Sequence, residues 1–161
     1  MLVEAEDQHF LWMLGGPAPN SEVRLPPGGV DGPAVIEIVW RMASSLRASY
    51  GAGSWMIVVE GEVVGLCSFK SPPSLDGAVE IGYGVAASRR ERGHASLAIA
   101  ELLEIAMRDE AIQSLVAETM AENMASQRVL ERNGFVREGK RIDPEDGEVI
   151  LWRYDISACR S

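Results

Sequence analysis

Arg90-Glu91-Arg92-Gly93-His94-Ala95 combines residue types suited to gripping an anion. The run follows an alternating segment, Val79-Glu80-Ile81-Gly82-Tyr83-Gly84-Val85, and opens an apolar stretch from Ser96. A strand entering a basic, glycine-containing turn and then a helix start is an anion trap. The first helical N–H groups lack partners, and the helix dipole is positive at that end. A phosphate-bearing ligand is the expected guest. Just upstream, Glu80 is a carboxylate able to take a proton from a substrate.

The segment before the turn gives a second clue. Strand side chains alternate faces, so Val79, Ile81, Tyr83 and Val85 form a core face and Glu80, Gly82 and Gly84 the other. Glycine weakens a strand unless something must approach the backbone closely. Two readings fit: a ligand lying along that face with Glu80 at its end, or a helix packed on the glycines with Glu80 at a solvated edge.

The elements that must position these residues are legible in outline. A short helix is expected within 4–14, then a Pro- and Gly-rich loop over 15–33. Ala34–Tyr50 is expected to be an amphipathic helix facing the core with Val35, Val39, Met42, Leu46 and Tyr50. Trp55–Val59 and Val63–Phe69 flank Glu60-Gly61-Glu62 as a hairpin, and Glu80–Val85 is the third strand of the meander. A helix over Ser96–Arg108 has Leu97, Leu103 and Ala106 among its core positions. A strand at Ser114–Glu118, a helix at Met124–Arg132 and a hairpin of Phe135–Lys140 with Val149–Ile156 complete the chain. Residues 1–3 are too short a stretch to predict a first strand. Strands first, then strand and helix alternating, imply an α/β (α+β) fold with a mixed sheet and helices on its faces.

Composition narrows the function. The 161 residues, 47% hydrophobic, are enough for one domain with a sizeable core. A net charge of −9 argues against nucleic acid, which needs basic residues spread over a face. Arg89, Arg90 and Arg92 instead concentrate positive charge at one spot, which suits a small polyanion. No apolar run is long enough for a membrane span, and the acidic start is unlike a signal peptide. Cys67 and Cys159 form no metal or redox spacing, in keeping with a reducing cytoplasm. Gly82-x-Gly84-x-x-Ala87 matches a dinucleotide fingerprint only formally, because its glycines lie inside the strand.

Glu80-Ile81-Gly82-Tyr83, followed by Arg90-x-x-Gly93-x-Ala95, resembles the GNAT superfamily of N-acetyltransferases, whose acyl-CoA signature is Gln/Arg-x-x-Gly-x-Gly/Ala. Asn123-x-x-Ser126 and then Gly134-Phe135 match its second signature. The element order agrees from about Trp55 to Ile156. The pattern looks closest to the branch containing ribosomal-protein N-terminal acetyltransferases. The resemblance implies a GNAT fold: a mostly antiparallel sheet, helices on both faces, and an acyl-CoA cleft between splayed central strands. It implies acetyl-CoA as cosubstrate and no metal. Backbone amides from Arg90 through Gly93, His94 and Ala95 to Ser96 would hold the pyrophosphate, with charge from Arg90 and Arg92. Val85 would bond the pantetheine arm, and Asn123 would contact the cofactor, a role compatible with capping its helix. His94 would either touch phosphate or face solvent.

The chemistry of such a transfer is general. An amine with a pKa of roughly 10.4 is protonated at neutral pH and must lose a proton before attacking a thioester. Glu80 is the expected base, and a thiol of pKa roughly 8.5 leaves with little help. The sequence departs from the family at Leu130, where many members carry a general-acid tyrosine. Ser126, one turn earlier, either relays a proton or is a polar first-turn residue. The reading is therefore a GNAT N-acetyltransferase domain over 1–161 acting on a primary amine, of a small molecule or a protein N-terminus. The alternative is an acyl-CoA-binding sensor without turnover. A homodimer is left open. Asp143, Glu145, Asp146 and Glu148 are expected to draw in a cationic acceptor.

Overall fold

The structure is a computed structural model and describes residues 1–20 and 22–160. Ser21, within the expected loop, and Ser161, at the end of the expected domain, lie outside the described residues. Seven strands form one open sheet: β1 (Leu2–Glu4), β2 (Ser54–Val59), β3 (Glu62–Phe69), β4 (Ala78–Val85), β5 (Ser114–Met120), β6 (Val136–Asp143) and β7 (Gly147–Asp155). Their order is β1-β2-β3-β4-β5-β7-β6. Every neighbouring pair is antiparallel except β4 with β5. A parallel pair needs a crossover, and α3 (His94–Met107) supplies it. The other helices are α1 (Asp7–Met13), α2 (Pro33–Ser49) and α4 (Met124–Arg132).

Local chemistry explains the boundaries. The β2–β3 turn places Glu60 at φ 50° and Gly61 at φ 78°, the two positive values a tight hairpin demands. Pro33 occupies the first turn of α2, where its missing N–H costs nothing. Asn123 caps α4, its Oδ1 accepting the Ser126 N–H at 3.1 Å. Beyond that helix, Gly134 takes φ 84° and the Phe135 N–H returns to the Leu130 carbonyl at 3.0 Å. Phe135 is thereby folded into the core.

Two apolar clusters clamp the sheet from opposite sides. On one, α3 and α4 pack Ile99, Leu102 and Leu130 against Val79, Ile81, Leu115 and Trp152. On the other, α1 and α2 pack Phe10 and Ile36 against Met56, Val63 and Leu66 of β2 and β3. Truncating a fully buried side chain such as Leu130 to alanine costs about 2–5 kcal/mol.

Three expectations are corrected. Residues 2–4 do form a strand, because Leu2, Val3 and Glu4 pair with Ile57, Met56 and Trp55, and Glu101 accepts the Leu2 N–H at 2.5 Å. In α2 the buried positions are Ile36, Ala43 and Leu46, whereas Val35 and Tyr50 are exposed. In α3 the buried positions are Ala98, Ile99, Leu102, Leu103 and Ala106, and Leu97 is 71% exposed. Both errors arise where adjacent apolar residues leave the rotational phase of the helix undetermined.

Candidate active site

The central strands part company. β4 pairs with β5 only through Ala78–Glu80 against Ser114–Val116, although β4 continues to Val85 and β5 to Met120. Backbone direction alternates along an antiparallel ladder. The Lys70 N–H to Glu80 carbonyl bond (2.8 Å) and the Ala86 N–H to Val64 carbonyl bond (2.7 Å) fix its phase. Glu80, Gly82 and Gly84 therefore turn their peptide groups to β3. Ile81 closes the β4–β5 ladder, and Tyr83 and Val85 turn theirs into the gap left by β5, where a ligand's amides can complete the ladder. The Val85 carbonyl already accepts the Arg90 Nε at 3.2 Å.

The basic turn lies where β4 ends. Gly93 precedes α3 at φ 80°, and a side chain there would meet open space. The first helical bond of α3 runs from the Leu97 N–H to the Gly93 carbonyl at 3.2 Å. The N–H groups of His94, Ala95 and Ser96 thus precede the ladder, and no acid stands in the first turn. The three arginines divide their work. Arg89 grips Glu62 through Nε at 2.6 Å and Nη2 at 3.2 Å, so it anchors the turn to β3. That hydrogen bond holds the Glu62 carboxyl below its ordinary value, with the charges of Arg24 and Arg92 assisting. Arg90 folds back on Val85, while Arg92 is exposed. The free N–H groups, the open glycine and the unpaired strand edge fit the phosphates and amide-bearing arm of an acyl-CoA.

The two sequence motifs adjoin. Asn133 Nδ2, at the end of α4, donates to the Ser96 carbonyl at 3.1 Å and to its Oγ at 3.3 Å. At the other end of α4, the Tyr83 hydroxyl lies 2.6 Å from Ser126 Oγ. Tyr83 is the residue the sequence analysis missed. Alternation assigned it to the core face, and it does pack against that cluster, but its phenol reaches the start of α4. Burial pushes its pKa up, opposed by the Ser126 hydrogen bond. Leu130, at the family's tyrosine position, is fully buried. The phenol on this side of the gap thus comes from a strand.

Glu80 is half-buried on the opposite face, and its Oε2 lies 3.0 Å from Lys70 Nζ. The Lys70 stem crosses Gly82, with Cε 2.9 Å from where a Cβ would stand. The close approach that the glycine permits is thus made by a lysine of this chain. A carboxylate on one face and a hydroxyl pair on the other flank a gap with free peptide groups. Such an arrangement can accept a proton from one side and supply one from the other.

Several other residues are structural. Cys67 is buried, and burial pushes its thiol up to about 12, which leaves it protonated and inert. Trp12, Trp55 and Trp152 belong to the core. Of the acids at the last hairpin, Asp143 accepts the N–H groups of Glu145 and Asp146 and pairs with Arg141, and Glu148 pairs with Lys140 at 3.0 Å. The charge of Asp143 and Glu148 is partly offset by these cations. No helix among the described residues is long and apolar enough to cross a membrane.

Known proteins resemble this chain in sequence and in fold. In sequence, the chain is similar to an uncharacterized N-acetyltransferase, YjdG, of Bacillus subtilis (strain 168), 33% identical over 106 residues, 65% of this chain and 60% of that one. It is also similar to a ribosomal-protein-serine acetyltransferase of Escherichia coli (strain K12), 32% identical over 88 residues, 55% of this chain and 49% of that one. The chain thus spans 60% or less of the length of these relatives. In fold it resembles RimL, a ribosomal L7/L12 alpha-N-protein acetyltransferase solved with coenzyme A, at a TM-score of 0.74 and 22% identity, covering 98% of this chain and 94% of that one. The microcin C7 self-immunity acetyltransferase MccE, solved with acetyl-CoA and AMP, superposes at 0.66 with 18% identity, covering 83% and 77%. The acetyltransferase (GNAT) domain family matches residues 20–136, which include the parted strand, the basic turn and the capped helix. The chain belongs to the GNAT acetyltransferase family.

Proposed function

We propose that this chain is an acetyl-CoA-dependent N-acetyltransferase in which Glu80 is the base. The observation that carries the reading is the parting of β4 from β5 beside the uncapped start of α3. His94, Ala95 and Ser96 N–H groups, with Arg92, would hold the pyrophosphate. Peptide groups of Tyr83 and Val85 would hold the pantetheine arm, with Arg90 steadying the Val85 carbonyl. Asn123 would sit beside the cofactor while capping α4. The bound cosubstrate would supply an activated acetyl carbonyl.

The chain's residues then divide the proton work. Glu80 takes a proton from the acceptor ammonium, directly or through water. Ser126, backed by the Tyr83 phenol, returns one to the departing sulfur. The acceptor is a primary amine, and the protein alpha-amine in the name of the RimL neighbour is one candidate class.

A thiol-release assay over serine-N-terminal peptides, polyamines and aminoglycosides tests this reading. Turnover with at least one amine is expected. Glu80→Gln should lower kcat by roughly 10²-fold or more while coenzyme A affinity holds. Coenzyme A binding without turnover on any amine would instead favour an acyl-CoA sensor.

A further inference from the structure

Lys70 follows the end of β3, directly opposite Glu80 in the ladder. Residues opposite one another on adjacent strands project to the same face, and here the two side chains meet at 3.0 Å. Lys70 does not extend away into water. Its stem runs over Gly82, where any side chain would collide with it, toward the stretch of β4 that has left β5. Both partners keep some exposure, 43% for Lys70 and 34% for Glu80, so the pair can be exchanged for another ion. A primary ammonium is thus held against the carboxylate proposed to deprotonate an acceptor. Lysine is scarce in this chain: of its 15 Lys and Arg residues only Lys70 and Lys140 are lysines. Lys140 lies on β6, paired with Glu148 away from the gap.

We propose that Lys70 occupies the place of the acceptor amine and is itself acetylated, in cis, when acetyl-CoA is bound without an acceptor. This inference rests on the function proposed above. Glu80 takes a proton from the Nζ ammonium, and the freed lone pair forms the N–C bond to the acetyl carbonyl carbon. The C–S bond breaks with its electron pair going to sulfur. Of the two protons the nitrogen loses, one passes through Glu80 to solvent and one ends on the coenzyme A thiol. The product is an uncharged acetyl-lysine lying over Gly82, and Glu80 has lost its cationic partner. A true acceptor competes with Lys70 for Glu80, so its presence slows the modification.

The test uses the whole chain with acetyl-CoA and no amine, followed by intact mass and peptide mapping. One acetyl increment is expected, on Lys70, forming roughly 10²-fold or more faster than on Lys140, because both lysines pair with a carboxylate but only Lys70 stands beside the gap proposed for acetyl-CoA. Glu80→Gln should bring the Lys70 rate down toward that of Lys140, and Lys70→Arg should abolish the increment. Equal, slow labelling of both lysines, or a Lys70 rate unchanged by Glu80→Gln, overturns the proposal. Calorimetry with coenzyme A separates the two levels. Binding without selective labelling overturns the role of Lys70 alone, and absence of binding overturns the cofactor reading with it.

Discussion

The Tyr83 hydroxyl and Ser126 Oγ, contributed by β4 and the first turn of α4, stand 2.6 Å apart, and the same phenol lies 3.2 Å from the Ser126 carbonyl. The pair ties the strand that carries Glu80 to the helix that carries the second motif. Removing the phenol tests whether the pair moves a proton or only holds the helix. Tyr83→Phe should lower kcat about 10-fold with KM for acetyl-CoA unchanged, and should cost about 1 kcal/mol of stability for the lost hydrogen bond. Stopped-flow thiol release and denaturant unfolding separate the two effects. A stability loss with kcat intact would assign Tyr83 to structure alone.

Gly93 offers a test of the turn. Its φ of 80° penalises any side chain by about 1–2 kcal/mol, yet the space around it is open. Gly93→Ala therefore reports the backbone cost by itself. Gly93→Glu adds a carboxylate at the mouth of the free N–H groups and should abolish coenzyme A binding in calorimetry. Equal affinity in the two variants would move the phosphate site elsewhere.

Glu62 gives the fold a signature in acid. The Arg89 hydrogen bond lowers its folded pKa, so the unfolded chain binds its proton more readily. Stability from this pair is fully present above the ordinary value of 4.5 and is lost as pH falls through the depressed folded value. Thermal melts should show Tm dropping in that window, and Glu62→Gln should flatten this part of the drop. The variant should also loosen the turn that Arg89 anchors, so its coenzyme A affinity should fall by a few-fold. An unchanged acid limb in Glu62→Gln would assign the drop to other carboxylates.

Legibility in the sequence followed how local the determining chemistry is. Met124–Arg132 was readable to the residue because its start is written in Asn123 and its stop in Gly134. The basic turn was readable because a glycine and arginines sit side by side. The faces of α2 and α3 were misread where Val35-Ile36 and Leu97-Ala98-Ile99 offer two apolar phases to one core. The contacts of Lys70 and Tyr83 were invisible for another reason. Each depends on a partner from a different element: Lys70 meets Glu80 across the β3–β4 ladder, and Tyr83 meets Ser126 43 positions away. Alternation fixes the side to which a residue points, but not what it touches at the end of its reach.

The short β4–β5 ladder also determines what stays still. With only Ala78, Val79 and Glu80 joined to β5, the sheet is a wedge whose apex lies at Glu80. When such a wedge widens or narrows around a guest, displacement grows with distance from the apex. Val85 and the turn beyond it travel furthest, and Glu80 sits at the fulcrum. A guest seated in the gap would thus meet a yielding far end, while the carboxylate would keep a fixed bearing.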